Sequence, residues 1–132
     1  EEYSKYKNIC LLNPIYDQQV LNQIRSNCSC YVHGHSAGGT NPSLVEAMFL
    51  GKPILAYDVN YNRFTLNEHA EFFSSKDELR ELLQMDCSSQ RLKEHAEKAK
   101  LFALAHYKWE VIANAYQEII IVNKKNKKAK SN

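Results

Sequence analysis

The 132-residue chain has no apolar run approaching the roughly 18 residues that a membrane-spanning helix needs. It has no internal repeat, which excludes a stacked-repeat architecture. Its start, Glu1-Glu-Tyr-Ser-Lys-Tyr6, is acidic and lacks the apolar core of a secretory signal. It also lacks an initiator Met, and the expectation is a piece of a longer protein. Cysteine is present only as Cys10, Cys28, Cys30 and Cys87. Cys28-Ser-Cys30 is neither a zinc-knuckle nor a redox spacing, and no second pair completes a metal site. Free thiols in a reducing, cytoplasmic setting are therefore expected. Glycine is limited to four residues, Gly34, Gly38, Gly39 and Gly51, all within one stretch.

What is present is the composition of an ordinary globular domain, 44% apolar and 24% charged. The length is enough for one domain with a real core. The formal charge of +2 misleads, because Lys124, Lys125, Lys127, Lys128 and Lys130 crowd the end of the chain. Removing these five from 17 basic residues leaves 12 against 15 acidic ones, a net of −3 for the body. A mildly acidic body does not suit nucleic-acid binding.

Short apolar runs alternate with helical patterns along the chain. Asn8–Asn13, Ser29–His33, Ile54–Asp58 and Ala70–Phe73 read as strands. Asp17 can cap a helix carrying Val20, Leu21 and Ile24. Pro42–Leu50 reads as a helix closed by Gly51, with Pro53 blocking its continuation. Val59–Glu68 reads as a loop with a short helix. Ser75-Lys-Asp-Glu78 is a capping-box pattern opening a helix with Leu79, Leu82 and Leu83 on one face. A long helical region follows from Ser89 to Val122, with a break near His106–Lys108. The expectation is an α/β fold: a Rossmann-like open, mainly parallel sheet with helices on both faces. It occupies residues 1–122, with residues 123–132 a disordered lysine-rich tail.

In such sheets ligands bind beyond the carboxyl ends of the strands. The stretch His33-Gly-His-Ser-Ala-Gly-Gly-Thr-Asn-Pro-Ser-Leu-Val-Glu-Ala-Met48 lies at one such end. Asn41 is a good N-cap and Pro42 a good first helical residue. The unpaired amides and positive dipole of the first helical turn suit a diphosphate. Gly38 and Gly39 allow close backbone approach, and Thr40 and Ser43 can add hydroxyl donors. Glu46 shares a helical face with Pro42 and Ser43, and helical side chains lean toward the N-terminus. Its carboxylate can thus accept from ribose hydroxyls. The competing explanation is a Gly-rich turn into a capped helix with Glu46 in a surface ion pair.

That motif, followed by Gly51-Lys-Pro53, resembles the signature of family 4 glycosyltransferases, nearest to a rhamnosyltransferase subgroup with a His-Gly-His-Ser-x-Gly-Gly-Thr-Asn-Pro-Ser core. Tyr107-Lys-Trp109-Glu110 with Tyr116 resembles that family's closing helix. The resemblance covers most of residues 6–120. It implies the later part of the donor-binding, carboxyl-terminal half of the two-domain GT-B architecture. The acceptor-binding, amino-terminal half has no counterpart in these residues.

It also implies a dTDP- or UDP-linked sugar as substrate, a glycan or lipid-linked acceptor, and no metal; the chain holds no Asp-x-Asp motif. On this resemblance Glu46 holds the donor ribose, and the amides from Gly39 through Ser43 meet the diphosphate. Many members carry a second Glu near the donor sugar, and Gly38 stands at that position here. His33 or His35 can take over a sugar or phosphate contact; for either, and for His35 above all, a bond to the loop backbone is the alternative. A sugar-nucleotide epimerase and a non-catalytic binding or scaffold module remain as alternatives.

Other residues have plainer expectations. Asp58 ends a strand and suits turn capping, while Arg63 is either an anion contact or part of an ion pair. His69, His95 and His106 are expected to face solvent. Trp109, Ile112, Tyr116 and Ile119 form one helical stripe expected to be core. Any of that surface left uncovered makes self-association an expectation. The lysine tail suits weak peripheral contact with an anionic membrane, at the cytoplasmic inner face.

Overall fold

A computed structural model describes residues 2–129, with side chains through Ile121. It is a mixed α/β structure. In chain order it comprises α1 (Gln18–Ser26), β1 (Tyr31–His33), α2 (Pro42–Leu50), β2 (Ile54–Tyr57), α3 (Asn60–Leu66), β3 (Glu71–Phe73), α4 (Lys76–Gln84), α5 (Gln90–His106) and α6 (Trp109–Ala129). The three strands form one parallel sheet in the order β1-β2-β3. Register places Tyr31 beside Ile54, His33 beside Ala56, and Ala56 beside Phe72. Those residues share one face by the two-residue period of a strand.

That face carries the core. Ile54 and Ala56 pack with Leu44, Ala47 and Met48 of α2, Leu66 of α3, and Ala99 and Ala103 of α5. Tyr31, Phe49, Phe72, Phe102 and Tyr107 close over the cluster. Burying Leu44 or Met48 contributes about 1.5–3 kcal/mol each. The alanines of α5 let its backbone approach α2 closely enough to seal the cluster.

The helix ends follow local chemistry. Asn41, in extended backbone, accepts from the Ser43 amide at 3.0 Å, and Gly51 ends α2 in the left-handed region at φ 65°. Only glycine adopts that φ without cost. Asp17 caps α1 through the amides of Gln19 and Val20. Ser75 caps α4 by accepting from the Glu78 amide at 3.2 Å. The return bond is displaced by one residue from a capping box: Glu78 accepts from the amide and hydroxyl of Ser74. These bonds hold its carboxyl below the ordinary glutamate range.

Four expectations need correction. Asn8–Asn13 is not a strand, and Ile9, Leu11 and Leu12 are exposed. An apolar run becomes a strand only where a neighbour takes its backbone hydrogen bonds. No described strand lies beside it, since β1 pairs only with β2. The α6 stripe is not core. Trp109 is 82% exposed, and Tyr116 and Ile119 are exposed with it. The helix leaves α5 after the Tyr107–Lys108 break and has little to pack on. His95 does not face solvent alone: it lies beside the buried Glu71, which also accepts from Arg91 at 2.8 Å. Finally, α6 carries helical backbone through Ala129 rather than ending at 122. Lysine and alanine are good helix formers, so nothing local stops it. The expected disorder of 130–132 lies outside the described residues. Among the described residues no helix is long and apolar enough to cross a membrane.

Candidate functional site

The loop from Gly34 to Thr40 joins the carboxyl end of β1 to the mouth of α2. A single buried side chain ties it down. Asn62 of α3 donates to the carbonyl of His35 at 3.0 Å and to that of Tyr57 at 2.9 Å. The first bond holds the loop and the second the end of β2. Thr65 adds a hydroxyl contact to Thr40 at 3.5 Å while donating to the carbonyl of Tyr61. Tyr107 in turn donates to the carbonyl of Thr65 at 3.2 Å.

The glycines leave the loop open above. A Cβ built on Gly34, Gly38 or Gly39 would meet nothing within 4 Å. Gly38 has φ 111°, a conformation that side chains disfavour, whereas Gly39 has no such constraint. The α2 mouth is assembled by Asn41, whose side-chain oxygen accepts from both the amide and the hydroxyl of Ser43. The Tyr31 hydroxyl donates to the Ser43 Oγ at 3.3 Å. Ser43 Oγ is therefore already engaged twice.

His33 ends β1 and is almost wholly buried, and its ring stacks on His35 with centroids 5.0 Å apart. Its Nε2 is buried with no hydrogen-bond partner. Burial first, and then the neighbouring His35, lower its pKa below the ordinary histidine value. The neutral ring is thus favoured and can present one donor or one acceptor.

Glu46 stands one turn inside α2 and lines a groove of about 300 Å³ together with Thr40, Pro42, Val45 and Phe49 on one side and Tyr107, Trp109 and Ile112 on the other. The carboxylate therefore shares an open surface with the helix mouth. It is not free, however: Arg25, in the last turn of α1, donates to its Oε2. A larger hollow of about 430 Å³ lies at the far end of α2, beside Lys93 and Lys100 of α5. It contains none of the expected site residues.

The expected site residues are thus contiguous: His33, His35, Gly38, Gly39, Thr40, Asn41, Ser43 and Glu46 line one loop and one helix start. Asp58 and Arg63 are committed elsewhere. Arg63 forks onto both Asp58 oxygens at 2.5 and 2.7 Å, bonds Glu68, and lies over the Phe72 ring at 4.2 Å. Its hydrogen bonds hold the Asp58 carboxyl below its ordinary range. Asp58 does not cap α3, whose first turn has no side-chain cap. Reading the chain alone missed Arg25, Asn62, Tyr31 and Thr65. Asn62 and Thr65 lie in a mostly polar segment, Asn60–Leu66, where nothing local marks them as buried. Among the described residues no group of His, Cys, Asp or Glu is arranged to hold a metal ion. No family model, curated protein or solved structure matches the chain.

Proposed function

We propose that the chain is the donor-binding half of a glycosyltransferase of Rossmann-like, GT-B type, moving a hexose or deoxyhexose such as rhamnose from a nucleotide diphosphate to a glycan or lipid-linked acceptor. The observation that carries this reading is that an uncrowded Gly38–Gly39 loop runs into the Asn41-capped mouth of α2, where Thr40, Pro42 and Glu46 line one groove. The amides of Gly39, Thr40 and Asn41 serve the diphosphate at the positive end of the α2 dipole, since Pro42 has no N–H and that of Ser43 is taken by Asn41. The Nε2 of His33 is unpaired but buried, so a further contact to phosphate or sugar falls to the exposed His35 stacked on it. Glu46 accepts from ribose hydroxyls. Catalysis then comes from orientation and from stabilising the leaving diphosphate.

In this reading the acceptor half covers the exposed face of α6, and without it that face promotes self-association. The protein works in the cytoplasm, with its lysine-rich end near an anionic membrane surface. A second reading has one specific observation behind it. The Arg25–Glu46 ion pair ties α1 to α2, as it would in a non-catalytic scaffold. Thermal unfolding with a panel of nucleotide diphosphates and sugar nucleotides separates the two. The donor-site reading predicts a rise in Tm with dTDP, UDP or their sugar conjugates. A flat panel overturns it in favour of the scaffold.

A further inference from the structure

We infer that Arg25 is the positioning residue of the ribose contact: it fixes the Glu46 carboxylate beside the α2 mouth and offsets its charge there. The inference rests on the donor-site reading above and adds a residue and a role to it.

The geometry is specific. Helix α1 buries no residue, yet the Arg25 side chain is only 16% exposed, because it lies against α2. Its Nη1 donates to Glu46 Oε2 across 21 residues of sequence. The end of α1 is itself anchored: the Arg25 carbonyl accepts from the Cys28 thiol at 2.9 Å and from the Cys28 amide at 3.4 Å. Glu46 keeps 44% of its side chain exposed, and its Oε1 has no hydrogen-bond partner among the described residues. One oxygen is thus held by the protein and the other is unpartnered, and Glu46 lines the groove shared with Thr40 and Pro42.

Two physical consequences follow. A glutamate that is free in solution loses rotamer freedom on gripping a ligand, and a pinned one has already lost it. Here one guanidinium nitrogen, Nη1, holds one carboxylate oxygen, Oε2, in a charge-assisted bond, and the partial burial of Arg25 keeps that nitrogen in place. The second consequence is electrostatic. A bare carboxylate one turn from a bound diphosphate repels it, and the adjacent guanidinium cancels most of that repulsion. Arg25 thereby lets one site accept both an anion and a pair of hydroxyls.

The test is calorimetric titration of the whole chain with UDP and with its 2′,3′-dideoxy analogue. Wild type, Arg25→Lys and Arg25→Gln are compared, with folding checked by circular dichroism. The expected wild-type preference for UDP over the dideoxy analogue is about tenfold, the size of hydrogen bonds to one charged group. In Arg25→Gln, UDP affinity should fall about tenfold and the hydroxyl preference should shrink to within twofold. Arg25→Lys, which keeps the charge but not the placement of Nη1, should retain UDP affinity better than hydroxyl preference. A lowered Tm with the hydroxyl preference intact in Arg25→Gln shows a structural tie only and overturns the inference. Wild-type binding without any hydroxyl preference overturns the inference and leaves the diphosphate contact standing. No binding of either ligand to wild type overturns the inference, and no binding of dTDP as well overturns the donor-site reading.

Discussion

Asn62 donates one amide hydrogen bond to the His35 carbonyl and another to the Tyr57 carbonyl, so one buried side chain joins the glycine loop to the carboxyl end of β2. Two segments that the chain separates by the whole of α2 are thereby held in one arrangement. Replacing Asn62 by Leu leaves the Tyr57 carbonyl its bond from the Val59 amide at 3.0 Å but removes the Asn62 partner of the His35 carbonyl, and should cost about 1–3 kcal/mol. Chemical denaturation measures this. The same change should weaken nucleotide binding, because the loop is no longer fixed.

The cap of α2 gives a second prediction. Asn41→Ala removes the acceptor for the Ser43 amide and hydroxyl. The expected loss of stability is about 1 kcal/mol. Asn41→Asp should retain most of it, since a carboxylate also caps and suits the helix dipole. Urea unfolding of the three proteins checks the order.

Gly38 and Gly39 separate backbone strain from ligand approach. A Cβ meets no protein atom at either position, but only Gly38 has a positive φ. Gly38→Ala should therefore destabilise the fold by about 1 kcal/mol. Gly39→Ala should change stability by no more than about 0.5 kcal/mol. Any loss of nucleotide affinity in Gly39→Ala then reflects crowding of the ligand.

His33 gives a pH dependence. Its folded pKa lies below the ordinary 6.5, so the unfolded chain binds the proton more readily. The stability it contributes is present above pH 6.5 and is lost as pH falls through the lower, folded value. His69 has the same direction, chiefly from burial. Tm should therefore decline with acidification below pH 6.5, and His33→Phe should flatten that decline. An unchanged slope in the variant removes His33 as the cause. Asp58 acts at lower pH with the same sign, as its paired carboxylate is protonated below its ordinary range.

The parts of the fold legible from the chain were those with local causes. Asn41, Pro42 and Gly51 mark the ends of α2 by their own backbone chemistry, and the structure places the ends there. Asp17 and Ser75 announce α1 and α4 in the same way. The illegible parts depended on partners distant in sequence. Asn8–Asn13 has the composition of a strand and, among the described residues, no neighbouring strand to pair with. The Trp109–Ile119 stripe has core periodicity and no surface to cover it. Arg25 and Asn62 acquire their roles only when α1 and α3 are brought against α2 and its loop. Periodicity describes a helix face but not what lies opposite. The candidate site was legible as a loop and a helix start, while the residues that hold it in place were not.

The measurement nearest the central claim is calorimetric titration of wild type, Gly39→Ala and Glu46→Ala with UDP and dTDP. The account predicts that wild type binds at least one of them and that each variant, though folded, binds about tenfold more weakly. Absence of binding by wild type, or equal affinity in all three proteins, would contradict it.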